Sequence, residues 1–160
     1  MADDWYVENV RELPWFVNER FGARGFLVRP DAQVGVRVHV LEPGKPSTLY
    51  HRETGQEGFL VVEGECLLLV AGEERPLKRW DYFHCGPDTP HSFVGAGEGP
   101  CVMVTLGLRG GSIVYERNDL ALSHGAGGEE ETDTPDVAYE PFPNWEEGRP
   151  ANWHDLPWNR

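Results

Sequence analysis

The sequence predicts an all-β fold, a sandwich or barrel of short strands, and three observations carry that prediction. The 160 residues include 19 Gly and 13 Pro, a density of turn formers that interrupts the chain too often for long helices. Residues 34–41, VGVRVHVL, alternate so that Val34, Val36, Val38 and Val40 share one face, which is the period of a half-buried strand. Beyond them, short β-rich runs recur at regular spacing, each closed by Gly or Pro, the pattern of a sandwich or barrel. One domain is the economical reading of this length.

Residues 1–30 read as an N-terminal arm or a pair of edge strands, with Trp5, Trp15, Phe16, Phe21 and Phe26 packing on the core. Glu42-Pro43-Gly44 ends the first clear strand by turn chemistry. Residues 49–70 read as two strands around Glu53-Thr54-Gly55-Gln56, followed by Gly64 and the run CLLLV. Ala71-Gly72-Glu73 turns the chain, and 74–85 returns as one further strand. Pro87-Asp88-Thr89-Pro90 forms a tight turn, since two prolines preclude a regular ladder. HSFV, the GAGEGP turn and VMVTLGL follow. SIVYER is a last strand, and DLALSH one helical turn ended by Gly125. The barrel thus occupies 31–116. Residues 117–160 form an acidic, Pro- and Trp-rich C-terminal extension, mostly irregular. A tail wrapped over the domain or a neighbouring subunit would hide its three tryptophans; disorder at the extreme end is the alternative.

Asp plus Glu number 27 against 14 Lys plus Arg, a net charge of −13. From residue 116 onward there are 11 acidic residues and 3 basic ones. This excess repels phosphate backbones and anionic lipid, so the reading is of no nucleic-acid partner and no membrane partner. The N-terminal stretch has no apolar signal-like region, and the longest apolar run, Cys66 to Ala71, is too short to span a bilayer. Cytoplasmic is the expected location. Cys66, Cys85 and Cys101 form no CxxC and read as buried small hydrophobes. Neither a GxSxG elbow nor a nucleotide-binding glycine motif is present.

Four side chains carry the candidate chemistry: His51, Glu53, Glu57 and His91. His51 and Glu53 lie two apart and face the same way in an extended strand. Glu57 follows after a turn and can face the same space from the neighbouring strand, and a third strand would bring His91 inward. Imidazoles with carboxylates make a ligand set for a divalent first-row metal. Around it, Phe59 and Val61 share Glu57's parity, Phe93 shares that of His91, and Gln56 could donate a hydrogen bond to a ligand. Tyr50 points away from His51 into packing. His84 reads as a packed core histidine, with a pocket contact or acid–base role as the alternative. Arg37 and His39, opposite the valines, read as a solvated or interfacial face rather than a pocket wall.

With these residues in place, the sequence resembles the cupin superfamily, whose first motif is G-x5-H-x-H-x3,4-E-x6-G. Gly44 to Gly64 reads G-x6-HRETGQE-x6-G, with His51, Glu57 and Gly64 in register. The second motif, G-x5-P-x-G-x2-H-x3-N, aligns with Trp80 to Gly95 and places His91, while Trp80, Gly86, Asp88 and Gly95 depart from it. Asp88 in a glycine slot is tolerable because Asp enters the left-handed region more readily than most residues.

The resemblance covers roughly residues 34–108. It implies a jelly-roll (cupin) double-stranded β-barrel holding one metal ion, with His51, Glu57 and His91 as ligands. Glu53 stands where the family has a second histidine. It is either a fourth ligand or, swung aside, a catalytic base. The divalent ion is Mn, Fe, Zn or Ni, with oxygen-rich ligation tilting the site towards Mn, Fe or Mg and away from Cu. The function implied is a metal-dependent enzyme, an oxygenase or an isomerase working through an enediolate, acting on a small-molecule ligand. The alternatives are a non-catalytic module that binds a small metabolite or sugar, and an inert structural or storage barrel. Arm exchange in such barrels makes a homodimer the expectation.

Overall fold

A computed structural model of the chain describes residues 4–160. Twelve strands form two antiparallel sheets facing each other. In chain order they are β1 (Trp15–Asn18), β2 (Gly22–Phe26), β3 (Val34–Leu41), β4 (His51–Glu53), β5 (Glu57–Glu63), β6 (Glu65–Val70), β7 (Glu73–Lys78), β8 (Tyr82–Cys85), β9 (His91–Ala96), β10 (Cys101–Leu108), β11 (Ile113–Tyr115) and β12 (Glu146–Glu147). One sheet has seven strands in the order β12-β1-β2-β3-β10-β5-β8; the other has five, β11-β4-β9-β6-β7. The expected all-β jelly-roll sandwich is therefore present. Two short helices, α1 (Asp119–Ser123) and α2 (Pro135–Tyr139), and two short 3₁₀ turns interrupt the C-terminal segment. Asn118 caps α1 by accepting from the Ala121 N–H, and Gly125 at φ +72° ends it.

The chain crosses between the sheets where its backbone demands it. Gly64, between β5 and β6, has φ +72°, and a Cβ there would collide with the Pro100 carbonyl, so the position excludes a side chain on two counts. The stretch 74–85, expected as a single strand, is two. Lys78 ends β7, and Trp80 takes φ +77° before β8 begins. The Asp81 carboxylate closes this turn by accepting from the Lys78 N–H at 2.9 Å. The break has a purpose: β7 pairs with β6 in one sheet and β8 with β5 in the other.

Two apolar clusters place the site. Between the sheets lie Leu41, Phe59, Val61, Cys66, Leu68, Phe93 and Met103. On the outer side of the seven-stranded sheet, Val38, Val40, Ala23 and Trp15 are covered by Trp153 and Leu156 from the C-terminal segment. Trp158 stacks on Trp15 at 5.3 Å between ring centroids. The C-terminal segment is thus docked on the barrel, and β12 pairs with β1 along the sheet edge. Each large side chain buried this way contributes about 1.5–3 kcal/mol. The valine face of β3 consequently looks outward under the tail, and Arg37, His39 and Leu41 look into the barrel.

Candidate metal centre

The pairing of β4 with β9 sets His51 directly opposite His91, with ring centroids 4.8 Å apart. Glu57 opens β5 on the facing sheet and completes the group. One donor atom from each of His51, Glu57 and His91 can be chosen so that all lie within 4.8 Å of one another, and all three residues are buried.

Both imidazoles are oriented through the backbone. His51 Nδ1 donates to the Leu49 carbonyl at 2.7 Å, and His91 Nδ1 donates to the Thr89 carbonyl at 2.9 Å. A carbonyl can only accept, so each Nδ1 carries the hydrogen and each Nε2 presents its lone pair to the interior. His91 Nε2 lies 3.2 Å from Glu57 Oε2, an oxygen that is buried without a hydrogen-bond partner. Bare nitrogen lone pairs facing an orphaned carboxylate oxygen form a donor set that fits a divalent cation.

The electrostatics agree with that fit. Burial, reinforced by Glu53, pushes the Glu57 carboxyl up to about 7. Burial, with His51 beside it, pulls His91 down to about 4, which keeps the ring neutral and ligand-competent. Glu53 sits 3.4 Å from His51 Nε2. Burial raises its carboxyl, but in the metal-free site a hydrogen bond donated by the protonated form of His51, with that ring's charge and the charge of Arg37, outweighs this and holds it below the ordinary range. The two carboxyls are thereby driven apart, one towards the ionised form and one towards the protonated form. Cys85 Sγ lies 3.4 Å from His91 Nδ1. Burial pushes that thiol up to about 12, so it stays neutral.

Of the four residues singled out from sequence, three form the cluster and Glu53 stands beside it. Tyr50 is buried away from the site, as parity requires, and its hydroxyl accepts from the Gly72 N–H. Asp88 adopts φ +59° in the family's glycine slot. The three cysteines are buried and free. Other expectations are corrected. His84 is exposed, because the inward parity of β8 belongs to Phe83 and Cys85. Gln56 is exposed and makes no side-chain hydrogen bond to a ligand. Arg37 and His39 line the cavity above the cluster instead of facing solvent or a partner.

That cavity, about 430 Å³, also receives Arg24 from β2 and Tyr139, Pro143 and Trp145 from the C-terminal segment. Sequence reasoning missed all four. Arg24 joins the site because β2 pairs with β3 and sets it opposite His39, which the sequence alone does not announce; the tail residues gave no signal either.

Two antiparallel sheets around an interior nitrogen–oxygen donor cluster that opens into a cavity define the class: a small jelly-roll protein. Residues 37–107 match the cupin domain family, and this part of the chain is a cupin domain. Solved structures with the same fold include a sugar phosphate isomerase from a cupin superfamily of Silicibacter pomeroyi. It is 19% identical over 89% of this chain and 92% of that one, with TM-score 0.58. A predicted oxalate decarboxylase from Thermotoga maritima is 18% identical over 64% of this chain and 98% of that one, TM-score 0.59. A provisionally assigned sugar phosphate isomerase from Acidithiobacillus ferrooxidans is 24% identical over 58% of this chain and 64% of that one, TM-score 0.51. At such identities the likeness carries the fold alone. Among curated proteins none matches the chain.

Proposed function

We propose that the protein is a metal-dependent enzyme acting on a small organic molecule, with His51, Glu57 and His91 holding one divalent ion of the Mn, Fe, Zn or Ni type. The observation that carries this reading is the buried set of two backbone-anchored imidazoles converging on an unpartnered Glu57 oxygen. A bound ion would supply Lewis-acid polarisation of a substrate oxygen. Glu53 is the acid–base group: its depressed carboxyl is ionised at neutral pH and lies beside the ligands, where it can take a proton from substrate carbon. The reaction is of the isomerase or the oxygenase type.

The homodimer and the cytoplasmic location belong to the same proposal. Val34, Leu106 and Leu108 form an exposed apolar strip on the paired strands β3 and β10, a surface a second copy would cover. No helix among the described residues is long and apolar enough to cross a membrane.

Metal analysis of protein purified without chelator tests the central claim. We expect close to one divalent ion per chain in the natural sequence and near-complete loss in both His51→Ala and His91→Ala, with far-UV circular dichroism unchanged. Full metal content in both variants would move the site elsewhere.

A further inference from the structure

Two arginines stand in the cavity without a counter-ion. Antiparallel pairing sets Arg24 opposite His39 and Phe26 opposite Arg37, so these four side chains share the inward face of β2 and β3. The two guanidinium carbons lie 5.2 and 5.8 Å from the Phe26 ring centroid, and Arg24 packs on Trp145 at 3.8 Å. Among the described residues, neither arginine forms an ion pair within 4.0 Å. Arg24 Nε is buried with no hydrogen-bond partner. So is Nδ1 of His39, a residue only 3% exposed that lines the same cavity.

This is an unusual arrangement in a chain with 27 acidic side chains against 14 basic ones. Like charges placed side by side and half desolvated raise the energy of the empty site, and an anion between them would lower it. Burial and the neighbouring Arg37 bring Arg24 down to about 10, so it remains cationic at neutral pH. Burial and the two arginines pull His39 down to about 3, so it offers a neutral ring edge. Glu53 and Glu57 line the cavity too, and the charge of Arg37 lowers both carboxyls, but neither carboxylate comes within 4.0 Å of either guanidinium, and both stand beside His51 and His91. The interior is therefore polarised, with cations on one wall and the imidazole–carboxylate cluster on the other.

We propose that Arg24 and Arg37, with the Nδ1 edge of His39, form an anion subsite that holds the carboxylate or phosphate group of a small organic substrate. Trp145 is a positioning residue, its indole fixing the plane of the Arg24 guanidinium. That the far end of the same molecule reaches His51, Glu57 and His91 rests on the reading under Proposed function; the subsite itself does not. A cavity of about 430 Å³ suits a small metabolite carrying one such group.

The test uses the full chain, stripped of metal, titrated with inorganic phosphate and separately with acetate, followed by NMR or calorimetry. Saturable binding of at least one anion is expected, and the preferred one identifies the group. Arg24→Gln and Arg37→Gln should each weaken it by about tenfold or more, as removing a charge-assisted hydrogen bond does. His91→Ala should leave it unchanged. Trp145→Ala should weaken it less, with recovery in Trp145→Phe. Thermal melts identify any variant that does not fold, and Arg37→Gln, away from the Trp145 stack, carries the test if Arg24→Gln fails. Unchanged affinity in Arg37→Gln, no saturable binding by the natural sequence, or binding lost in His91→Ala but kept in the arginine variants would overturn the subsite. A chain that takes up no metal but still binds anions through the arginines would keep this inference and remove the enzymatic one.

Discussion

The interior of the barrel is divided into two halves of opposite character. At its closed end Leu41, Val61, Cys66, Phe93 and Met103 are each no more than 1% exposed and belong to one apolar cluster, of which Phe93 and Met103 also floor the cavity. At its open end Arg24, Arg37, His39, His51, Glu53, Glu57 and His91 crowd one cavity, and several of their polar atoms are buried without partners. The same strands build both halves: β3 contributes Leu41 below and Arg37 above, and β9 contributes Phe93 below and His91 above. The closed end supplies stability, and the open end carries uncompensated polar groups that the closed end keeps in place.

The largest effect should come from attacking the closed end. Phe93→Ala removes a fully buried ring at the centre of the apolar cluster, and denaturant titration should show a loss of about 3–5 kcal/mol. A stability change below about 1 kcal/mol would break the division.

The next effect belongs to the open end and depends on pH. The Glu57 carboxyl ionises near 4.5 in the unfolded chain and near about 7 in the folded, metal-free protein. As pH rises from 4.5, the unfolded state releases this proton first. Its contribution to stability is thus fully present below pH 4.5, falls through the window to pH 7, and is lost above it. The full swing is about 3 kcal/mol. Because the depressed His91 and His39 rings add stability over much of the same window, the readout is the difference between chains. The stability of Glu57→Gln relative to the natural sequence should rise by about 3 kcal/mol between pH 4.5 and 7 in metal-free protein. A difference that does not change with pH would assign the effect to another group.

The smallest effect lies at the turn that delivers His91. Asp88 holds φ +59° and pairs with Arg52 at 3.3 Å on the surface. Asp88→Gly relieves the backbone, loses a weak exposed ion pair and gains unfolded-state entropy, terms that nearly cancel to within about 1 kcal/mol. Asp88→Val, whose branched side chain resists the left-handed region, should cost about 1–2 kcal/mol more. Equal melting temperatures for the two variants would show that this turn is not strained.

Much of this architecture was legible in the sequence because it rests on local rules. Alternation marked β3, Gly and Pro marked the turns, and the spacing of His51, Glu57 and His91 marked the cluster. What escaped depends on information that one strand does not hold. Alternation distinguishes the two faces of β3 without saying which is inward. The valines look like one core face, but only Val38 and Val40 join a core, and it lies under the tail; Val34 is exposed, and Arg37 and His39 take the interior. Trp80 at φ +77° splits 74–85 against its own preference, because the chain must change sheets there. Arg24 becomes visible only once β2 is known to pair with β3. Tyr139 and Trp145 reach the cavity by docking from far along the chain, without periodicity to announce them.

That docking has a practical consequence for anyone wishing to retarget the molecule. His51, Glu57 and His91 lie within residues 51–91, whereas Tyr139, Pro143 and Trp145 enter the cavity from a separate stretch. Tyr139 must be kept, because its hydroxyl accepts from the N–H of Leu49, whose carbonyl orients His51. Randomising positions 143–145 would reshape what the mouth admits without replacing a residue that touches His51, Glu57 or His91, so selectivity and chemistry can be bred in independent rounds.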